Sequence, residues 1–422
     1  MRKMSVNEKH LDRYAEILVD HGAGLRSGQD LFLNGSLVHR DLALRVAEVA
    51  YDRGVNEVFF LLTDPLQHAQ LVRRGRREQI ESARSRERQW FEEIVRRRGA
   101  LISFRGEEYP GLMQKLSQEY PEQHAAFVRG SLGVTEHFSN HGINRSLCPW
   151  VVAGAATPGW AERVFPDLPT EEAVDRLWET IFQLTYADRD DAVEQAAERD
   201  QRLHRRRREL NALDIREAHV LGGGTDLRVG FSAKRKWLGG SKATVDGQVF
   251  NANVPSEENF TTPDRRLTHG RVKATMPFNI KNGGLIEDLE MNFEAGRLVE
   301  FDAGLGKETF GRWIDSDEGA RFLGEFALVG QDSEVAKSGL FFEHTLFDEN
   351  AWSHIALGRA YSIALDGGEE MSRQELDEVG CNVSVIHTDI MIGSPEVTIT
   401  ATKSAEGEVV LIENGEWTER FR

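Results

Sequence analysis

The 422-residue chain predicts two successive architectures, an α/β domain with a mostly parallel sheet and then an α+β, strand-rich domain built on a mixed sheet. Apolar strands alternate with amphipathic helices in the first half. After Asp226 the pattern changes to short runs of alternating polarity, many separated by glycine-containing turns. The length also exceeds what one hydrophobic core ordinarily serves.

Residues 11–20 place Leu11, Tyr14, Ala15, Leu18 and Val19 at helical spacing, and His21-Gly22-Ala23-Gly24 stops the helix. Residues 30–34 read as a short strand, 42–51 as a second helix ended by Arg53-Gly54, and 58–62 as a continuously apolar strand. Strand, helix and strand with short links require parallel pairing covered on both faces. Further strands are expected at 101–104 and near 149–153. The basic run 73–98 is interleaved with Glu78, Glu81, Glu87, Glu92 and Glu93, which predicts a solvated, ion-paired helix rather than a nucleic-acid surface. Helices are expected over 160–167, 171–184 and 190–213, the last carrying His204 and Arg205 to Arg208 on a solvated face. The domain junction is placed within 214–224, giving domains 1–218 and 219–422. Leu221-Gly222-Gly223-Gly224-Thr225 lacks the Gly-Lys-Ser/Thr of a phosphate cradle and reads as a turn. Beyond it, strands are expected at 227–231, 247–251, 270–275, 289–293, 298–301, 325–329, 382–387, 397–401 and 409–413, with one helix over 316–324.

A formal net charge of -17 repels phosphate, which argues against nucleic acid and anionic membranes as partners. No window approaches the roughly 18 uninterrupted apolar residues of a membrane span, and the charged N-terminus is followed by no apolar core. A cytoplasmic location is expected. Cys148 and Cys381 are too few for a cysteine-based zinc site and are expected to be buried thiols.

The chemistry concentrates between Asp315 and Ser394. Glu325 interrupts the apolar run Phe322-Leu323-Gly324 and Phe326-Ala327-Leu328-Val329, where a lone carboxylate would cost several kcal/mol. His387 and Asp389 stand two apart in what reads as strand, so their side chains leave one face. Glu349 and His354 lie in the polar stretch D-E-N-A-W-S-H, and Glu257-Glu258 follows a strand upstream. Such a cluster needs a counter-charge, and a divalent metal is the simplest one. Two histidines with three or four carboxylates exceed a single hydrolytic zinc, which takes three protein ligands and a water. They suit two divalent ions about 3.5 to 4 Å apart with a shared carboxylate.

Five strings carry a resemblance: W-L-G-G (237–240), N-V-P-S-E-E-N-F-T-T-P (253–263), S-D-E-G-A-R-F-L-G-E-F-A-L-V (316–329), T-L-F-D-E-N-A-W-S-H-I-A-L-G-R-A-Y (345–361) and N-V-S-V-I-H-T-D-I-M-I-G-S (382–394). In order and interval they resemble the aminopeptidase T and aminopeptidase S family of two-metal exopeptidases. The first half is similar more loosely, through Y-A-E-I-L-V-D-H-G, W-A-E-R-V-F-P-D and G-T-D-L.

The resemblance implies metal ligands at Glu258, Glu325, Glu349, His354, His387 and Asp389, with Glu325 bridging two ions of zinc, cobalt, manganese or magnesium. It implies an active-site tyrosine at Tyr361, a general base at Glu258 or Glu257, and hydrolytic removal of the N-terminal residue from short peptides. It also implies a homodimer. Gly330 and Glu334 stand where the family usually has proline, Asn259 replaces an apolar residue, and Trp352 precedes Ser353-His354; these departures remove no ligand, and they leave the shape of the substrate pocket, and with it the preferred terminal residue, outside what the resemblance implies. The alternative is an iron-dependent ring-cleaving dioxygenase of related fold, which needs only two histidines and one carboxylate. Six retained ligand positions favour hydrolysis, and a silent scaffold would have lost some of them.

Overall fold

The computed structural model describes residues 6–280, 284–404 and 407–422. The chain forms two compact units, one of Met1–Glu198 with Ser241–Pro255 and one of Arg199–Gly240 with Ser256–Arg422.

The first unit is an α/β sandwich. Helix α1 (Glu8–Glu16) starts at Asn7, whose side chain accepts from the Lys9 and His10 amides, and buries Leu11, Tyr14 and Ala15. Strands β1 (Leu31–Ser36), β2 (Val58–Thr63), β3 (Ala100–Arg105) and β4 (Trp150–Gly154) pair in parallel in the order β2-β1-β3-β4, and helix α2 (Arg40–Asp52) links β1 to β2. A two-residue strand, Asn253–Val254, closes the β4 edge in parallel and is too short to leave a sequence pattern. The α/β expectation holds, and the buried run of β3 is that of a strand covered on both faces. The basic stretch is helical and ion-paired, for example Glu81 with Arg77 at 3.2 Å and Arg129 at 3.0 Å. The expected strand at 247–251 is the two-residue Val249–Phe250, paired with Lys242–Ala243. Cys148 is buried and free, its thiol pushed up to about 12 by desolvation.

The second unit begins within the long helix α3 (Ala192–Ala212). In chain order its principal strands are β5 (Ile215–Gly222), β6 (Thr225–Phe231), β7 (Asn259–Thr261), β8 (Pro263–Lys273), β9 (Glu290–Glu294), β10 (Arg297–Asp302), β11 (Leu323–Leu328), β12 (His354–Gly358), β13 (His387–Met391), β14 (Thr398–Lys403), β15 (Glu408–Glu413) and β16 (Glu416–Trp417). Eight form one antiparallel sheet, β10-β9-β8-β6-β5-β14-β15-β16, and four form another, β7-β11-β12-β13. The triple glycine is the hairpin turn between β5 and β6, where Gly223 and Gly224 at φ +59° and +87° adopt the left-handed conformation a tight hairpin demands.

Three expectations are corrected. The helix over 316–324 is only a 3-10 turn, Glu318–Arg321, because β11 begins at Leu323; the helix of this region lies earlier, at Lys307–Ile314. The strand at 382–387 starts at His387, and the residues before it form a loop. The face of α3 is not wholly solvated: Arg206 is 2% exposed, stacks 4.6 Å over Trp417, donates from Nε to the Phe421 carbonyl at 2.8 Å and pairs with Asp332 at 2.6 Å.

Alternation in the four-stranded sheet sets up the site. Phe326, Leu328, Ile355, Leu357 and Ile390 point into the main core of this unit. The pairs Glu325↔Ala356, Ala327↔His354, Ala356↔Asp389 and Gly358↔His387 therefore set Glu325, His354, His387 and Asp389 together on the opposite face. A bulge between Leu323 and Glu325 shifts the register beside Gly324, re-aiming Glu325. A Cβ at Gly324 would lie 2.4 Å from the carbonyl oxygens of both Gly358 and Arg359. Gly324→Ala should therefore destabilise the protein by about 1–3 kcal/mol, read as a lowered Tm. An unchanged Tm would contradict this account of the bulge.

Candidate metal centre

Each candidate side chain is placed by identifiable local structure. The loop before His387 is held at Asn382, whose Nδ2 donates to the carbonyls of Gly319 (2.8 Å) and Gly358 (2.6 Å). Asp317 Oδ2 accepts from the Val385 amide at 2.6 Å in the same loop. Ser353 Oγ both accepts from and donates to the Val329 main chain at 3.0 Å, tying the end of β11 to the start of β12 beside His354. Asp348 accepts from the amides of Phe342 and His344 at 2.8 Å each, fixing the single helical turn Thr345–Asp348 that ends on Glu349. Glu258 immediately precedes edge strand β7, and Asn259 anchors that strand by donating from Nδ2 to the Leu203 and Leu238 carbonyls at 3.0 and 3.2 Å.

These elements bring five of the six expected ligands into two overlapping groups, Glu258-Glu325-His354 and Glu325-His387-Asp389; within each, the potential ligand atoms all lie within 4.8 Å of one another. His354 Nε2 is 3.4 Å from Glu258 Oε2 and 3.8 Å from Glu325 Oε1, and His387 Nε2 is 3.4 Å from Glu325 Oε2 and 3.2 Å from Asp389 Oδ1. Glu349 stands outside both groups but close enough that Glu258 and Asp389 perturb its titration. Tyr361 borders the cluster, its ring centroid 4.9 Å from that of His387 and 6.1 Å from that of Phe260.

The imidazoles are oriented for coordination. His387 Nδ1 lies 2.7 Å from the Arg359 carbonyl and His354 Nδ1 lies 3.3 Å from the Trp352 carbonyl. A carbonyl only accepts, so Nδ1 carries the proton in both rings and Nε2 faces the carboxylates. Metal-binding histidines are held in this way. Glu258 Oε2 is buried and makes no well-directed hydrogen bond, although His354 is near. Buried carboxylate lone pairs without donors, facing oriented imidazoles, fit a divalent cation.

Electrostatics agree. Burial, then the charges of Glu258 and Asp389, push the Glu349 carboxyl well up. Burial opposes the charge on both histidines, but the carboxylates beside them win: Glu258 and Glu325 for His354, and Asp389 and Glu325 for His387, each raised well above the ordinary imidazole value. Burial would raise Glu325 too, yet the two imidazoles hold it below the usual carboxylate value. Without metal, then, the cluster gathers protons to offset its negative charge, and cations can take their place.

Glu257, the other base candidate, turns away: its Oε1 is 3.0 Å from Arg199 Nε, with the two side chains 3% and 7% exposed. Burial raises its carboxyl, and Arg199 and Arg202 oppose that. The supporting residues Asn350, Ser353 and Arg199 received no role from the sequence. Only the polar D-E-N-A-W-S-H run signalled the first two, and Arg199 is hidden in a charged helix.

The family model of the thermophilic metalloprotease (M29) matches residues 7–417. Aminopeptidase AmpS of Bacillus subtilis (strain 168) is 34% identical over 407 residues, 96% of this chain and 98% of the relative. Aminopeptidase T of Thermus aquaticus is 35% identical over 426 residues, 98% of this chain and 100% of the relative. Among solved structures, wild-type AmpT from Thermus thermophilus matches with a TM-score of 0.87 at 33% identity, over 97% of this chain and 99% of that one. Nothing in these relatives supports the ring-cleaving dioxygenase. A family match over nearly the whole chain, with two acid-histidine groups that share Glu325, establishes that the chain belongs to the M29 metallopeptidase family.

Proposed function

We propose that the chain is a two-metal aminopeptidase that removes the N-terminal residue from short peptides. The observation that carries this reading is Glu325, whose Oε1 faces His354 while its Oε2 faces His387, the disposition of a carboxylate between two cations. Glu258, Glu325 and His354 would hold one ion, Glu325, His387 and Asp389 the other, and Glu349 would complete the set. Imidazole nitrogen with carboxylate oxygen suits zinc, cobalt or manganese, and magnesium is the remaining candidate. All six residues lie within 219–422, which we take as the catalytic domain, with 1–218 as the N-terminal α/β domain. No helix among the described residues is long and apolar enough to cross a membrane. With the net charge of -17, this supports a cytoplasmic enzyme with peptide rather than nucleic-acid partners. A homodimer follows from the family resemblance alone.

The bound ions would supply a water acidified toward neutrality and would polarise the scissile carbonyl. The protein's own groups do the rest. Glu258, which would hold its ion through one carboxylate oxygen, takes the proton of the attacking water on the other and returns it to the leaving amine. Tyr361 donates its hydroxyl proton in a hydrogen bond to the developing oxyanion. Although the residue is 36% exposed, desolvation and then the charges of Glu325 and Asp389 raise its phenol well above the ordinary value, so the donor is intact at neutral pH. Glu257 is engaged with Arg199 and serves no base role.

Metal analysis of the purified protein, with amine release from leucyl and arginyl anilides with and without chelator, tests the reading. Two ions per chain and chelator-sensitive release are expected, and a single iron with no turnover on any aminoacyl substrate would overturn it. Tyr361→Phe should lower kcat by about 10²–10³-fold while the metal content stays at the wild-type level; unchanged kcat would remove Tyr361 from the mechanism.

A further inference from the structure

We infer that Asn350 and the buried Arg199–Glu257 ion pair are positioning residues for only one of the two ions, the one held by Glu258 and His354. The inference rests on the two-metal reading above.

The two groups of ligands are supported in different ways. Glu325, His387 and Asp389 belong to β11 and β13, both laddered to β12 through Glu325↔Ala356, Gly358↔His387 and Ala356↔Asp389. Their spacing is set by main-chain pairing. Glu258 instead lies just before β7, outside the ladder, and its placement depends on what holds residues 256–258.

Two buried interactions do so. The amide of Glu257 donates to Asn350 Oδ1 at 2.6 Å, and Asn350 is 0% exposed. Its Nδ2 donates to the Leu346 carbonyl at 2.9 Å, and its own carbonyl accepts from Ser333 Oγ at 2.6 Å. The amide has one productive orientation, because reversing it would set its NH₂ against an N–H and its oxygen against a carbonyl. Asn350 directly follows Glu349, so one side chain ties the segment carrying Glu349 to the segment carrying Glu258. From the other side, Arg199 Nε lies 3.0 Å from Glu257 Oε1. Arg199 is on α3, a 21-residue helix, so the pair references the Glu257-Glu258 segment to a rigid element. With Glu257 drawn toward α3, Glu258 is left turned to His354 at 3.4 Å. Asn350 bonds the Glu257 amide and Arg199 faces the Glu257 carboxylate, so both act on Glu258 through its neighbour.

Loss of such outer partners typically costs 10–100-fold in metal affinity. Here the loss should be one-sided, which general damage to the fold would not produce. The test is zinc titration of the full-length wild type, Asn350→Ala, Arg199→Lys and Arg199→Met in chelator-buffered solution, reading bound zinc per chain, with kcat and KM on a leucyl anilide at limiting and saturating zinc. In Asn350→Ala one of two binding steps should weaken by about 10–100-fold while the other stays at the wild-type position. At limiting zinc kcat should fall with KM unchanged, and saturating zinc should restore the part of the loss that comes from the missing ion, leaving only the part due to Glu258 as base. Arg199→Met should shift the same step, and Arg199→Lys, which keeps the charge facing Glu257, should shift it less. The Arg199 pair carries the test if Asn350→Ala does not fold. Equal weakening of both steps, or movement of neither in a wild type that shows two, overturns the inference alone. A wild type that binds a single ion overturns the two-metal reading first, and the inference with it.

Discussion

Like charges pressed onto one face of a small sheet are the constraint on which this unit depends. Glu258, Glu325, Glu349 and Asp389 crowd together, and burial with that crowding pushes the Glu349 carboxyl well up. The fold provides partial compensation in two imidazoles that face the carboxylates through Nε2. The remaining demand for positive charge is met by protons when nothing else is bound, and this is the condition that makes a cation bind tightly. The same negative charge would be a liability anywhere else in the protein.

The sheet meets that demand at low conformational cost because a strand has two faces. Phe326, Leu328, Ile355, Leu357 and Ile390 bury one face in the core, and the alternate positions receive Glu325, His354, His387 and Asp389. Core packing and ligand geometry are thus the same structural fact, and the Gly324 bulge adjusts one carboxylate between them. Where the candidate ligands leave the ladder, at Glu258 and Glu349, the protein adds buried polar anchors, namely Asn350, Asp348 and the Arg199–Glu257 pair. Polar groups so placed are fully costly if one partner is removed, so they specify the loops more than they stabilise them.

Much of this was legible because its signals are local. The parallel strands of the first unit follow from continuous apolar runs, and Glu325 declared itself by interrupting one. The His387 and Asp389 spacing put both on one face even though the expected strand began five residues early; period two survives such an error when its parity is right. The helix over 316–324 failed because the apolar run at Phe322 and Leu323 belongs to β11, and short apolar runs do not distinguish helix from strand. The burial of Arg199 and Arg206 was not readable at all, since their partners Glu257, Asp332 and Trp417 lie far away in sequence. Glu258 lies just before its strand and outside the ladder, so no periodicity marks it and only the family resemblance points to it.

The central claim is that Glu325 is shared by two ions, and the metal content and zinc affinity of Glu325→Ala test it most directly. A shared carboxylate serves both donor groups, so its loss should weaken both binding steps, with circular dichroism verifying that the fold is retained. Retention of one zinc at wild-type affinity in that variant would contradict the account.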